Sequence, residues 1–313
     1  MTVRFRRAGT GEPLLLVHGI GHRHQAWEPV FDRLAAHHDV IAIDLPGFGE
    51  SPVPPTGMPT DMAAIVATLR PVLADWGLDR PHVAGYSLGG AIGLELAASG
   101  LVASATALSP AGFFTDAERR RALRALSWMR VTSHLPTPLI RAALRSPGLR
   151  AWCFGPLVAR PAALDAERAL ADALALRRCA GFGTVARAAR GYRVDCVTLG
   201  ACAVPVTIGW GDRDRIFGVH QAERARTKLP GARVQTLSGC GHVPMSDDPE
   251  AVATLILETT GALPRPVDPA AGLTGRSVRA EEAGLVAPEQ HPDSNTCSPA
   301  RVADAGGRRN LPA

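Results

Sequence analysis

Ser87 sits within Pro81-His82-Val83-Ala84-Gly85-Tyr86-Ser87-Leu88-Gly89-Gly90, where a short apolar run stops at glycine-flanked residues and resumes as the small-residue stretch Ala91 to Ala98. His82 to Tyr86 predicts a buried strand and Ala91 to Ala98 a helix, so the serine falls on the turn between them. A hydroxyl there can act as a nucleophile only with help, because its own pKa lies far above neutrality. It needs a base to take its proton, an acid to orient that base and amide donors for the oxyanion that develops. His242, in the loop Ser238-Gly239-Cys240-Gly241-His242-Val243-Pro244, is the best candidate base, since imidazole exchanges a proton near neutral pH. His22, His24, His37, His38, His134 and His220 read as solvated loop or helix residues, His82 as a local hydrogen-bonding group and His18 as a group that holds its own loop. No cluster has the spacing of a zinc site. The loop Gly211-Asp212-Arg213-Asp214-Arg215 offers two candidate acids, Asp212 and Asp214, whereas Asp44, followed by Pro46 and Gly47, reads as a loop anchor.

The elements that must position these groups can be read in order. Thr2 to Arg7, with Val3 and Phe5 alternating with polar residues, predicts a half-buried strand, and Leu14 to Val17 a buried one. His18-Gly19-Ile20-Gly21 follows, with glycines that let backbone N–H groups turn toward a ligand. Trp27 to Ala36 has helical spacing, Val40 to Asp44 is strand-like, and Met62 to Trp76 predicts a helix begun near Asp61 and stopped at Gly77. After the Ser87 turn come strands at Ala105 to Leu108, Val204 to Trp210 and Val234 to Leu237, and helices at Gln221 to Leu229 and Pro249 to Glu258, the last marked by Asp247 and Asp248. Strand and helix alternating in this way predict an α/β protein whose mostly parallel sheet is covered on both faces. Residues 113–195 break the pattern: Asp116 to Arg130 and Leu164 to Arg178 predict amphipathic helices, separated by proline-containing breaks, with no strand.

Gly85-Tyr86-Ser87-Leu88-Gly89 matches the nucleophile elbow G-x-S-x-G, and with its flanking loops the chain resembles the α/β-hydrolase family over roughly residues 1–260. The resemblance implies a sheet of about seven strands, with residues 1–112 and 196–262 as the core and 113–195 as an inserted helical lid. The family order of nucleophile, acid and histidine falls on Ser87, Asp214 and His242, and the family's Gly-x-x-Asp pattern, on Gly211 and Asp214, favours Asp214 over Asp212. It also implies an oxyanion hole made by the backbone amides of Ile20 and Leu88. Asp44-Leu45-Pro46-Gly47-Phe48-Gly49-Glu50-Ser51 and His242-Val243-Pro244 with Asp248-Pro249-Glu250 resemble further family loops. The chain departs from the family in lacking a first edge strand, in a lid without a subfamily signature and in its extra tail. The implied activity is hydrolysis of an ester, thioester or related activated carbonyl of a small, largely apolar substrate through an acyl-enzyme, with no cofactor. Alternatives in the same fold are a carbon–carbon bond hydrolase, a lyase, a haloperoxidase-like enzyme or a small-molecule receptor that retains the triad. A serine rather than an aspartate at the elbow argues against a dehalogenase or epoxide hydrolase. Phe113, Phe114, Trp128, Met129, Trp152, Phe154 and Phe182 are candidates to line a pocket above Ser87, with Phe113, Phe114, Trp128 and Trp152 foremost.

Bulk properties narrow the classes. The 313 residues carry a net charge of +5, are 46% hydrophobic, and contain no apolar run long enough to span a bilayer as a helix. Fifteen arginines against six acids fall between Phe113 and Asp195. That excess could attract an anionic substrate or a membrane surface, but reads more simply as a solvated helical face, and without interleaved aromatic residues it does not resemble a nucleic-acid channel. Six cysteines without paired spacing read as reduced thiols, and the first residues lack a signal-peptide pattern, which together predict a cytoplasmic protein. Beyond Gly261 the composition turns to Pro, Gly, Ala and Ser with no apolar period, and residues 263–313 are expected to be a disordered tail. The expected partner is a small-molecule substrate, and the oligomeric state is not legible.

Overall fold

The computed structural model describes residues 2–264. Its strands are β1 (Phe5–Ala8), β2 (Pro13–Val17), β3 (Asp39–Ile43), β4 (His82–Tyr86), β5 (Ser104–Leu108), β6 (Val206–Gly211) and β7 (Arg233–Leu237). They form one sheet in the order β1-β3-β2-β4-β5-β6-β7, in which only β1 runs antiparallel to its neighbour. Helices α1 (Glu28–Ala35), α2 (Met62–Asp75) and α3 (Leu88–Ala98) connect the first strands. Then α4 (Asp116–Thr132), α5 (Thr137–Arg145), α6 (Pro147–Phe154), α7 (Ala166–Arg178), α8 (Phe182–Ala188) and α9 (Cys196–Gly200) lie between β5 and β6, while α10 (His220–Lys228) follows β6 and α11 (Pro249–Thr260) follows β7.

A parallel strand covered on both faces must be apolar on both, and β2 shows why its sequence is unbroken Leu-Leu-Leu-Val. Leu14 and Leu16 pack with residues of α1 and α11 on one face, and Leu15 and Val17 with residues of α2 and α3 on the other. All four are fully buried, each stabilising the fold by roughly 1.5–3 kcal/mol. The edge strand is different. Pairing of β1 begins only at Phe5, which stays 46% exposed against the Trp76 ring, while Val3, outside the strand, is buried. An edge strand is therefore present, short and polar, where a half-buried one was expected.

Sheet order decides where a site can form. From β2 the chain crosses outward to β3 and then returns to place β4 on the opposite side of β2. Connections diverge at that point, and the carboxyl ends of β2 and β4 border a crevice of the kind in which open parallel sheets bind ligands. The register pairs Val17 with Gly85, so the loop after β2 and the turn after β4 leave the sheet side by side.

Between residues 116 and 200 the insertion holds helices joined by turns and, among the described residues, no strand, but its prolines start helices where the sequence suggested breaks. Pro138 and Pro147 occupy the first turns of α5 and α6, positions where a missing N–H is harmless. Ile140 and Leu144 of α5 pack on Ala169 and Leu170 of α7 in a small core of their own. At the other end, residues 265–313 of the expected tail lie outside the described residues. Leu263, assigned to that tail, packs against the α11 side of the core and donates its amide to Leu257 O at 3.1 Å, because the left-handed Gly261 (φ 86°) turns the chain back onto the helix.

Candidate active site

Ser87 is held at φ 55°, ψ −114° between β4 and α3. This is a strained conformation for a residue with a side chain, costing on the order of 1–3 kcal/mol. Hydrogen bonds fix it: its amide donates to Leu108 O at 2.9 Å, and its carbonyl accepts from Ala91 N and Ala111 N, each at 3.1 Å. The glycines around it are required by backbone approach. A Cβ on Gly85 would lie 2.2 Å from Gly89 O, and one on Gly89 would lie 2.1 Å from Val17 O. Only their absence lets α3 begin directly over the strands, with Leu88 as its first residue, one position after the serine. The Leu88 amide consequently has no intrahelical acceptor.

The loops after β6 and β7 bring an imidazole to the same place. His242 Nδ1 lies 2.9 Å from Asp214 Oδ2, and both residues are buried, at 3% and 6% exposure. A carboxylate only accepts, so Nδ1 carries the proton and Nε2 is left as an acceptor. Asp214 is itself fixed by the amides of Ile216 and Phe217, both donating to Oδ1 at 2.8 Å, and the Phe217 ring meets the imidazole edge-on at 5.0 Å. Asp212, the other candidate, is exposed and accepts from Gly239 N at 2.8 Å, tying down the loop that carries the histidine.

The loop after β2 is organised by His18. Its Nε2 accepts from Leu45 N at 2.9 Å, so the proton sits on Nδ1, which donates to Gly19 O at 2.7 Å. Burial lowers its pKa to about 4, so the ring is neutral and structural, as its position beside a tight turn suggested. Asp44 is likewise an anchor, accepting from His24 N and Glu50 N at 2.7 and 2.8 Å. Beyond Gly19, Ile20 opens onto the same cavity as Ser87.

One polar network escaped the sequence reading. His22, expected to be solvated, instead accepts from the Tyr86 hydroxyl through Nδ1 and brings Nε2 within 3.2 Å of Asp172 of α7. Burial raises the Tyr86 pKa, keeping the phenol a donor. Burial also opposes the charge on Asp172, but His22, Arg168 and Arg23 outweigh it and hold the carboxyl below its usual range. Tyr86 immediately precedes Ser87, so this chain of contacts joins the serine turn to the insertion. Nothing in the local sequence marks it, since His22 and Asp172 are 150 positions apart in number and meet only through the fold.

Ser87 and His242 both open onto a cavity of about 490 Å³ roofed by the insertion, with Leu126, Leu144, Leu157, Leu164 and Leu176 among its walls. Trp128, Met129, Trp152 and Phe154 line it. Phe113 and Phe114 do not. They follow β5 directly and are drawn into the sheet's core, Phe113 against Trp210 and Phe114 against Phe217, and Phe182 is buried in the same core. Asp247 proves to be a latch, with Asp248 alone capping α11. Its carboxylate accepts from Gly241 N at 2.8 Å, Ala159 N at 2.9 Å and Arg160 N at 3.0 Å, tying the His242 loop to the insertion.

Comparison with known proteins agrees with this fold. The chain matches the alpha/beta hydrolase family over residues 14–255. It belongs to that family. This hydrolase is 31% identical over 259 residues to an uncharacterized protein of Mycobacterium tuberculosis, covering 78% of this chain and 74% of that one. Over a shorter stretch of 97 residues it is 35% identical to a pimeloyl-[acyl-carrier protein] methyl ester esterase of Aeromonas salmonicida, covering 31% and 36% of the two chains. Its fold superposes on that of a thermophilic esterase from Thermogutta terrifontis with a TM-score of 0.66 at 22% identity, covering 83% of this chain and 93% of the other.

Proposed function

We propose that this hydrolase cleaves an ester, thioester or related activated carbonyl through an acyl-enzyme formed on Ser87. The observation that carries the reading is the buried Asp214–His242 pair, 2.9 Å apart, with its free imidazole nitrogen on a cavity shared with the strained serine. As Ser87 Oγ bonds to the carbonyl carbon, His242 Nε2 takes the hydroxyl proton, and the carbonyl oxygen becomes an oxyanion held by the Ile20 and Leu88 amides. Collapse of that intermediate breaks the bond to the leaving oxygen or sulfur, which receives the proton from His242. Water then repeats the sequence and releases the acid. Asp214 holds the ring in the required tautomer and stabilises the imidazolium.

The substrate is largely apolar, a reading supported by the leucine-rich walls of the cavity, and the helical insertion acts as a lid that supplies them. A panel of p-nitrophenyl esters of graded acyl length tests this, with Ser87→Ala as control. Turnover that rises from short to medium chains and disappears in Ser87→Ala is expected. Turnover that survives in Ser87→Ala, or a preference for charged acyl groups, contradicts the reading.

A further inference from the structure

Exposed apolar surface is concentrated on one part of this protein. Among the described residues eight large hydrophobic side chains are exposed, and six of them, Trp128, Val131, Leu135, Leu139, Leu149 and Trp152, lie between residues 128 and 152. Five of the six, all but Val131, also line the cavity that holds Ser87. A side chain that lines a cavity and is at least 43% exposed stands on its rim. The two tryptophans meet edge to face across that rim, with ring centroids 4.8 Å apart. Exposed apolar side chains gathered around one cavity mouth, rather than scattered singly, mark an interaction site.

The charge of the same stretch is one-sided. Residues 128–152 contain Arg130, Arg141, Arg145 and Arg150 and no aspartate or glutamate. Arg130 and Arg150 are engaged with backbone carbonyls; Arg141 and Arg145 on α5 are exposed, Arg141 with the carboxylate of Glu167 on α7 at 3.7 Å and screened by solvent. On α4, Arg121 and Arg124 are exposed as well and continue the helical face that carries Trp128 and Val131, by spacings of three and four. Apolar residues flanked by arginines, with no acid between them, fit an interface whose interior is hydrocarbon and whose headgroups are anionic.

We infer that the rim of the insertion docks on an anionic phospholipid surface, seating the cavity mouth against the acyl layer. The placement of the patch favours a lipid over a protein partner or a second copy of this chain. Either of those, covering the rim, would close the cavity mouth that the rim encircles, whereas a lipid layer would feed it. The benefit of such docking rests on the cavity being a substrate site, but the docking itself does not require Ser87 chemistry.

The test is sedimentation of the full chain with vesicles of phosphatidylcholine alone or with one-third phosphatidylglycerol, together with tryptophan emission. Of the other three tryptophans, Trp27 and Trp210 are fully buried and Trp76 is half-buried against Phe5 of the edge strand, away from the rim, so a blue shift on binding would report chiefly Trp128 and Trp152. Binding at least tenfold stronger to the anionic vesicles is expected, weakened by added salt. Ser87→Ala should bind as the wild type does, which separates this inference from the hydrolase reading. Val131→Asp, at a position 71% exposed, should reduce binding at least fivefold without lowering Tm. No binding, equal binding to both vesicle types, no effect of Val131→Asp on binding, or a dimer in solution that Val131→Asp dissociates would each overturn it.

Discussion

Alanine at Gly89 and alanine at Gly93 should shift stability in opposite directions, although both glycines lie in α3 and the chemical change is the same. Replacing a helical glycine by alanine gains at most about 1 kcal/mol, because the unfolded chain loses freedom and the helix is intrinsically favoured. At Gly93 the new methyl would meet the Val83 side chain at 3.5 Å, an ordinary contact, so the gain is retained. At Gly89 it would fall 2.1 Å from Val17 O, 2.6 Å from Val17 C and 2.7 Å from His18 O. These are main-chain atoms of β2 and its loop, and no rotamer change can move them. Restoring normal separation would lift the start of α3 by roughly 1 Å or more, an overpacking penalty of about 3 kcal/mol that outweighs the propensity gain. Thermal unfolding followed by circular dichroism should show Gly89→Ala lowered by about 5–10 °C and Gly93→Ala raised by about 1–3 °C. Shifts of the same sign, or a Gly89→Ala variant as stable as the wild type, would refute the steric argument for the serine turn.

The remaining predictions concern the groups around that turn. Asp214→Asn keeps an acceptor for the Ile216 and Phe217 amides but presents a donor to His242 Nδ1, so steady-state kinetics should show kcat down by on the order of 10³–10⁴ with an unchanged Tm, while Asp212→Asn leaves kcat within about threefold. His18, with a pKa of about 4 against about 6.5 in the unfolded chain, should keep unchanged ring nitrogen shifts by NMR from pH 7.5 to 5.5. Because the unfolded state takes up that proton first, the stability contributed by His18 is complete above about pH 6.5 and falls by up to about 3 kcal/mol as pH drops to about 4. Asp247→Ala strands the amides of Gly241, Ala159 and Arg160, and urea unfolding should show a loss of about 3 kcal/mol or more.

The central sheet was legible because buried parallel strands are continuous apolar runs, and β4 falls on His82–Tyr86 as read. The start of α3 was not, since Leu88, Gly89 and Gly90 carry no apolar period and are helical only because the strands beneath leave no room for side chains. The choice between Asp212 and Asp214 needed a family pattern, and the hydrogen bond to His242 singles out the same residue. In the insertion, proline-containing stretches read as breaks, but proline in the first turn opens the short helices α5 and α6 there, and no local signal distinguishes the two uses. Aromatic type alone does not separate Phe113 and Phe114, packed on Trp210 and Phe217, from Trp128 and Trp152, which line the cavity. His22 and Asp247 act through partners far away in sequence, which no local pattern can reveal.

The acyl-enzyme reading stands or falls on one side chain. Intact-protein mass spectrometry after treatment with a fluorophosphonate, followed by peptide mapping, measures it directly. A single adduct on Ser87, absent in Ser87→Ala and slowed by a medium-chain ester competitor, is the predicted result. A folded wild-type protein that gains no adduct, or gains one on another residue, would contradict the account.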